Sequence, residues 1–316
     1  MRKSFFVLAA VACCACSKGV TGSSYVEDEV VELNFSVPVL ATKASGSVTE
    51  DAVESLQVFV FGTDGQVQSS GIADENSITL TCTTGDKKIA AIVNSSPLEG
   101  VNNIGELEGR MSDFADNSLG CFTMSGLEPK MLSASGEVKI LVKRLVSKVM
   151  LSSVTRAFQL EQHQEMEFEL MSVFLTNTPQ KIGYFKSQQS DELVNEGVSD
   201  VEVIAASGEL LYDNLGGLSV GQGETADLGN FLYCYPNILA DPAKPAYMVV
   251  QARLGDGIYY YSVALPAMES NKCYNVSLTV TMPGTLTPDV PVKKEDALFS
   301  VSVGEWDGSV DVDETI

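Results

Sequence analysis

Residues 31–39 have the sequence VELNFSVPV, and this stretch decides the fold class. Apolar side chains occupy every second position, at Val31, Leu33, Phe35, Val37 and Val39. Polar residues and one proline fill the positions between them. A period of two residues is typical of a β-strand with one face buried and the other exposed to solvent. The stretch therefore predicts a half-buried β-strand.

Similar strand-like runs follow along the rest of the chain. They lie at residues 55–61, 77–82, 88–94, 136–151, 166–177, 230–235, 246–253, 257–265, 274–282 and 298–303. Turn sequences rich in glycine and aspartate separate several of them, as at residues 62–65 and 255–257. Many short strands with turn signals between them are typical of antiparallel sandwiches, so we predict an all-β chain.

The number of strands predicts two tandem antiparallel β-sandwich domains rather than one. Domains of ordinary size hold about 100–150 residues, which is less than half of this chain. We take the basic run at residues 139–148 as the connection between two such domains. We place the boundary near residue 150, so that the domains cover residues 44–150 and 151–316.

Two local patterns add to this all-β interpretation. Apolar residues that fall on one helical face predict one helix of three turns in the N-terminal domain, formed around Ile104, Leu107, Met111 and Phe114. Residues 283–297 contain three prolines and a charged run, which disfavour strand pairing and predict an extended, solvated spacer. Such a spacer would allow the last strand to move.

Composition and motifs exclude several kinds of function. The chain has 316 residues, with 20 Lys+Arg against 42 Asp+Glu and a formal net charge of −22. Nucleic acid is therefore a poor partner, because its affinity for proteins comes largely from basic residues. The one histidine, His163, lies in a polar run, and the seven cysteines do not form two C-x-x-C pairs, so we predict no metal and no other cofactor. Nucleophile-elbow and phosphate-loop motifs are absent as well, and we predict that the chain is not an enzyme.

The N-terminus has the features of an export signal. Arg2 and Lys3 precede an apolar run at residues 5–12 that is too short to cross a bilayer. A small residue followed by cysteine at the end of this run resembles the lipobox of bacterial lipoproteins. We predict a signal peptide at residues 1–15 and lipidation of Cys16. Cys13 as the lipidated residue and an ordinary cleaved secretory signal remain alternatives.

Four further cysteines are scattered singly through strand-like segments, at Cys82, Cys121, Cys234 and Cys273. An exported chain could pair them, and four cysteines allow three connectivities. Free cysteine often packs as a small hydrophobic side chain, so buried free thiols are favoured.

Seven segments, in this order, resemble the fimbrillin family of Bacteroidales, the major subunits of type V fimbriae. In the N-terminal half they are ESLQVFVFGTDGQ (54–66), CTTGDKKIAAIVN (82–94) and VKILVKRLVSKVML (138–151). In the C-terminal half they are FELMSVFLTNTPQ (168–180), FLYCYPN (231–237), NKCYNVSLTVTMPG (271–284) and FSVSVGEWDG (299–308). The resemblance covers nearly the whole chain and implies transthyretin-like sandwiches.

The resemblance also implies a route of maturation. Fimbrillin precursors are exported as outer-membrane lipoproteins, and a trypsin-like protease cuts them after a basic residue in the loop that follows the first strand. Lys43 is the only lysine or arginine between Lys18 and Lys87. We therefore predict a propeptide at residues 16–43 and cleavage between Lys43 and Ala44. The expected location of the mature chain is a fimbrium on the cell surface, where it assembles with its own copies and other fimbrial subunits and mediates adhesion.

The strand pattern suggests how such copies join. Removal of residues 16–43 would take the first strand out of its sheet and leave an apolar groove beside unpaired backbone groups. The tail from about residue 274 to 316 carries Phe299, Val301 and Val303 on one face of an alternating strand. We predict that this tail, from a neighbouring copy, fills the groove. Head-to-tail insertion does not close on itself, so the product is a filament.

Two other functions remain open at this point. A fimbrial anchor or accessory lipoprotein would share the sandwiches and the lipid but would keep its N-terminal strand. A surface glycan-binding lipoprotein would use exposed aromatic rings, for which Tyr259, Tyr260, Tyr261 and Trp306 are the candidates.

Overall fold

The computed structural model of the chain describes residues 29–38, 50–238, 244–291, 293, 296–306 and 308–314, the last range by its backbone alone. Cys13, Cys16, Val39, Lys43 and Ala44 lie outside the described residues. The predicted all-β class is confirmed, since strands form two tandem sandwiches and the helices are short. No helix in the described part of the chain is long and apolar enough to cross a membrane.

The N-terminal domain packs a three-stranded sheet against a five-stranded sheet. Its elements are β1 Val30–Ser36, β2 Leu56–Phe61, β3 Val67–Ala73, β4 Ser77–Thr83, β5 Gly85–Val93, α1 Ile104–Glu108, β6 Met111–Asp113, a 3₁₀ turn Phe114–Asp116, β7 Met124–Leu132, β8 Gly136–Lys139 and β9 Lys143–Arg144. The smaller sheet has the order β4-β1-β8 and the larger one the order β3-β2-β5-β7-β9. The first strand is therefore central in its sheet.

The C-terminal domain pairs a five-stranded with a four-stranded sheet. Its elements are β10 Ser147–Arg156, α2 Glu161–Gln164, β11 Phe168–Thr176, β12 Thr178–Pro179, β13 Lys181–Gly183, β14 Leu193–Val194, α3 Val201–Ala205, β15 Tyr212–Ser219, β16 Thr225–Cys234, β17 Tyr247–Leu254, β18 Gly257–Ala264, β19 Lys272–Val280, β20 Ala297–Glu305 and β21 Gly308–Glu314. The sheet orders are β16-β10-β19-β20-β21 and β15-β11-β17-β18. The short pair β6-β13 joins the two domains.

Strand pairing passes from one domain to the other within a few residues. Arg144 ends β9 in the N-terminal sheet, and Ser147 begins β10 in the C-terminal sheet. The boundary predicted near residue 150 falls inside β10.

The strand β2 explains why the two domains share a core. All six of its residues are buried. Leu56, Val58 and Val60 pack towards β1, whereas Phe59 and Phe61 belong to the cluster that fills the C-terminal sandwich. A strand covered on both faces has apolar residues at consecutive positions, as at residues 58–61 in β2, instead of alternating ones.

The predicted three-turn helix is wrong in its length. Asn103 caps α1 by accepting a hydrogen bond from the backbone of Glu106 at 3.0 Å, and Gly109 ends the helix after little more than one turn. Met111 belongs instead to β6, which pairs with β13 of the C-terminal domain. Tertiary pairing has overridden the local helical pattern.

The predicted solvated spacer is wrong for residues 283–291. This segment lies along the outer edge of β18, with isolated bridges between Tyr260 and Thr285 and between Ser262 and Pro291. The Ser262 hydroxyl also donates to the carbonyl of Pro288 at 2.7 Å. Prolines cannot continue a ladder, but their carbonyls accept hydrogen bonds, so the segment covers a sheet edge that would otherwise be open.

Candidate functional site

The strand β1 is seated between two other strands. It pairs antiparallel with β4 at seven positions, from Val30↔Thr83 to Ser36↔Ser77. It pairs parallel with β8 at four positions, from Leu33↔Gly136 to Ser36↔Lys139. Because β4 and β8 meet only through β1, its removal would leave two facing rows of unpaired backbone groups.

The predicted apolar face of β1 is buried. Val31, Leu33, Phe35 and Val37 are at most 5% exposed and pack in one cluster with the facing sheet. The structure thus brings together four of the five residues predicted for this face, and Val39 lies outside the described residues. Burial of four such side chains contributes about 6–12 kcal/mol before ordering costs, an upper bound. We call the space that these side chains occupy the β1 groove, and the chain's own first strand fills it.

The C-terminal hairpin consists of β20 and β21. Phe299, Val301 and Val303 lie on one face of β20, as predicted, and each pairs with a core-facing residue of β19. Val301 is buried, and the other two are half-buried against the large core cluster. The structure therefore places these three residues in their own C-terminal sheet and away from the β1 groove. The strand β21 follows at the edge of the sheet and pairs with β20.

A cluster at the end of β20 was not predicted from the sequence. The indole N–H of Trp306 donates to Glu50 Oε2 at 2.7 Å. The other oxygen of Glu50 accepts from Lys148 Nζ at 2.8 Å and from the Tyr233 hydroxyl at 2.5 Å. The guanidinium of Arg144 lies 4.6 Å from the centre of the Trp306 ring.

Aromatic packing completes this cluster. The Trp306 ring lies 5.9 Å from the ring of Phe122 and 5.7 Å from that of Tyr233, measured between centroids. We call the set of Glu50, Phe122, Arg144, Lys148 and Tyr233 around this indole the Trp306 cage. It ties the end of β20 to the N-terminal domain, and no local sequence pattern predicts it because Glu50 and Trp306 are 256 positions apart.

The electrostatics of the cage give a testable pH dependence. Burial alone would raise the pKa of Glu50, but the hydrogen bonds from Lys148, Tyr233 and Trp306 outweigh it and place the pKa below the ordinary 4.5. The charged carboxylate therefore stabilises the fold above pH 4.5, and this contribution disappears as the pH falls through the lowered pKa.

We expect Glu50→Gln to lower the urea midpoint of unfolding at pH 7. The difference from the wild type should shrink as the pH falls below 4.5, because the wild-type carboxylate then takes up its proton. Unfolding curves between pH 7 and pH 3 measure this difference. The matched control is Glu75→Gln, at an exposed position between β3 and β4. A constant gap between Glu50→Gln and the wild type over this range would contradict the assignment.

The aromatic residues predicted for glycan binding are used in internal packing. Tyr261 is fully buried and packs against Phe168 at 6.5 Å, and neighbouring strand residues point to opposite faces of β18. The ring of Trp306 lies in its cage. Within the described part of the chain these rings form no common platform for a sugar.

The described histidine and cysteines lie apart from one another in the fold. His163 lies in the short helix α2 and packs edge-on against Phe158. Cys82, Cys121, Cys234 and Cys273 are free thiols. Among the described residues, no group of three or more histidine, cysteine, aspartate or glutamate side chains could hold a metal ion.

The described residues form a two-domain β-sandwich fold with a central first strand. Residues 32–157 match the family described as major fimbrial subunit protein (FimA), which covers the N-terminal sandwich and β10. The predicted resemblance to the fimbrillins is confirmed. No curated protein matches the chain in sequence.

Solved structures share the fold over most of the chain. A candidate cell adhesion protein from Bacteroides eggerthii is 19% identical with a TM-score of 0.65, over 89% of this chain and 97% of that one. One from Parabacteroides distasonis is 16% identical, TM-score 0.63, over 87% and 96%. A fimbrilin from Porphyromonas gingivalis is 13% identical, TM-score 0.61, over 87% and 97%. At these identities the matches establish the fold, and the family and these proteins are described as fimbrial or adhesion proteins, in agreement with the prediction of a non-enzyme.

Proposed function

We propose that the chain is a structural subunit of a type V fimbria that mediates adhesion and polymerises by strand exchange. The observation that supports this proposal is the position of β1, which lies between β4 and β8 and buries four apolar side chains. Its only covalent connection to β2 is the stretch between them, which includes Lys43. One cut in that stretch would turn β1 into a separable peptide that still fills a groove in the fold.

Maturation would then follow the predicted route. The precursor, with its signal at residues 1–15, is exported and lipidated on Cys16, which holds it on the outer membrane. A trypsin-like protease cuts between Lys43 and Ala44 and releases the propeptide 16–43 with β1. The cut chain has lost the burial energy of that strand, and an incoming strand regains most of it. The mature subunit resides in a cell-surface fimbrium.

The incoming strand comes from the C-terminal hairpin of a second copy or of another fimbrial subunit. The emptied groove has an apolar floor and two unpaired edges, those of β4 and β8, and such an edge recruits an extended strand. Insertion of one copy's tail into the next copy's groove repeats without closing, and a filament results.

Substitution at the cleavage site tests this proposal. We expect Lys43→Ala to remain uncut, to retain its lipid and β1, and to form no filaments. The matched control is Lys18→Ala, which removes the other lysine of the propeptide and should mature normally. N-terminal sequencing of surface protein and electron microscopy of cells give the two readouts. Filaments built from Lys43→Ala chains that still contain residues 29–38 would overturn the proposal.

A fimbrial anchor is the second candidate. In its favour, the described chain has its own β1 in the groove and its own hairpin in the sheet, which is the closed state that an anchor would keep. Wild-type surface protein that starts at lipidated Cys16 would identify an anchor, and a start at Ala44 would identify a polymerising subunit.

A further inference from the structure

The connection between the two sheets of the N-terminal sandwich carries a row of exposed side chains. Residues 136–144 run from β8, at the edge of the three-stranded sheet, to β9, at the edge of the five-stranded sheet. Exposed and covered side chains alternate along this stretch, and its exposed positions include Lys139, Leu141 and Lys143. We call these three residues the Leu141 row. It is a basic surface on a chain whose formal net charge is −22.

The side chains of the Leu141 row have no partners of their own. Neither lysine of the row forms an ion pair with a described carboxylate, although acidic residues outnumber basic ones by 42 to 20. The neighbouring Lys130, by contrast, pairs with Glu128 at 2.7 Å. Lysines on edge strands keep other strands from pairing there, but that role does not require a large apolar side chain between them. Leu141 is 68% exposed, so the row has the composition of an interface with an acidic partner.

The direction of β8 disfavours a membrane as that partner. The strand runs parallel to β1, from the pair Leu33↔Gly136 to the pair Ser36↔Lys139. The row therefore begins at the C-terminal end of β1. The lipid proposed on Cys16 would be attached on the N-terminal side of the same strand. A row at the opposite end of β1 from the lipid fits a protein partner better.

The C-terminal domain has a surface of the opposite charge around α3. Asp200, Glu202 and Glu209 are exposed and form no ion pair with a described basic residue. Val203 lies among them and is 54% exposed. Residues 187–209 contain no lysine or arginine. The α3 patch, as we call these four residues, thus has the same composition as the row with the charge reversed.

We propose that the Leu141 row of one copy docks on the α3 patch of a second copy. The two lysines then face the carboxylates of the patch, and Leu141 packs against Val203. Because two chains of net charge −22 repel each other overall, such a local attraction selects one relative orientation. Row and patch belong to different domains, so the contact is head-to-tail and can repeat along a filament. The inference rests on the proposed assembly of copies and adds a surface that orients them.

Cross-linking of the uncut chain tests the contact without any exchange of strands. A mixture of isotope-labelled and unlabelled full-length chain is treated with a carbodiimide, which joins an amine to a carboxylate that it touches, and the products are identified by mass spectrometry. We expect cross-links from Lys139 and Lys143 to Glu202 and Glu209, formed between labelled and unlabelled chains and lost at high salt. Their absence at low ionic strength would overturn the contact, while the proposed function would stand.

Charge reversal tests whether the contact guides assembly. The row reversal, Lys139→Glu with Lys143→Glu, should lower the initial rate of filament formation by the cut chain about tenfold at low ionic strength. The patch reversal, Glu202→Lys with Glu209→Lys, should have a similar effect. The chain with all four changes has the net charge of the wild type, because two lysines are lost and two are gained. It should assemble at the wild-type rate, since opposite charges face each other again.

The matched control is Lys88→Glu with Lys293→Glu, at two exposed lysines outside the row. It changes the net charge as the row reversal does, and it should change the rate much less. Slow assembly of the fourfold variant, or a row reversal no slower than this control, would overturn the docking of row on patch. Binding to polygalacturonate or to anionic phospholipid vesicles that the row reversal abolishes, with no cross-links between copies, would assign the row to another partner and overturn it too. If the cut wild-type chain forms no filaments at all, the proposed function fails, and the cross-links still report on the contact.

Discussion

Phe35→Ala is expected to lower the free energy of unfolding of the uncut chain by about 3–5 kcal/mol, the usual cost of truncating a buried phenylalanine. Phe35 is fully buried near the C-terminal end of β1 and is paired on both sides, with Ile78 of β4 and Val138 of β8. The same substitution should leave the stability of assembled filaments unchanged. In the proposed mechanism, β1 departs with the propeptide before the filament forms.

A matched control distinguishes a substitution in β1 from one in the part of the groove that stays in the mature chain. Leu56 of β2 is equally buried and belongs to the same cluster, but it remains in the mature chain. Leu56→Ala should destabilise both forms, by about 2–5 kcal/mol in the uncut chain. Urea unfolding of the precursor and thermal dissociation of purified filaments provide the two measurements. Filaments weakened by Phe35→Ala would mean that β1 stays in the assembled subunit.

A comparison of β1 with β2 shows which features of the fold can be predicted from the sequence. The first strand has one face in solvent, so its alternation predicts the strand, its buried face and its inward side chains. The second strand has both faces buried. Its sequence predicts a strand, but it does not show that one face packs in the N-terminal core and the other in the cluster that fills the C-terminal sandwich. Periodicity records how many faces are covered, and it does not record what covers them.

The failures have a common physical cause. The helical spacing that continues to Met111 and Phe114 is outweighed by pairing with β13, which lies some seventy positions away. The prolines at 283–291 do keep this segment out of the regular strands, but the edge of β18 gives it a place to bind. For Trp306 the sequence offers an aromatic residue near a strand end, which is more typical of internal packing than of a sugar platform. Its role depends on Glu50 and Arg144, and only the folded chain brings them together.

Asp51→Ala is expected to be the most damaging change at the junction of the domains. Asp51 forms a buried ion pair with Arg144, whose side chain is 3% exposed. The guanidinium also donates to the backbone oxygen of Glu50 at 3.2 Å and to Asn271 Oδ1 at 2.9 Å. These neutral partners would remain after the substitution, but the carboxylate of Asp51 would be gone. Breaking a buried ion pair by removing one of its members typically costs about 3–5 kcal/mol.

The measurement is the free energy of unfolding at pH 7, with Asp74→Ala as the control at an exposed aspartate. The surface change should remain within about 0.5 kcal/mol of the wild type. The paired variant Asp51→Leu with Arg144→Met should recover most of the loss, because it replaces both members of the ion pair by apolar side chains. This variant also deletes the cation above Trp306 while it keeps the junction packed.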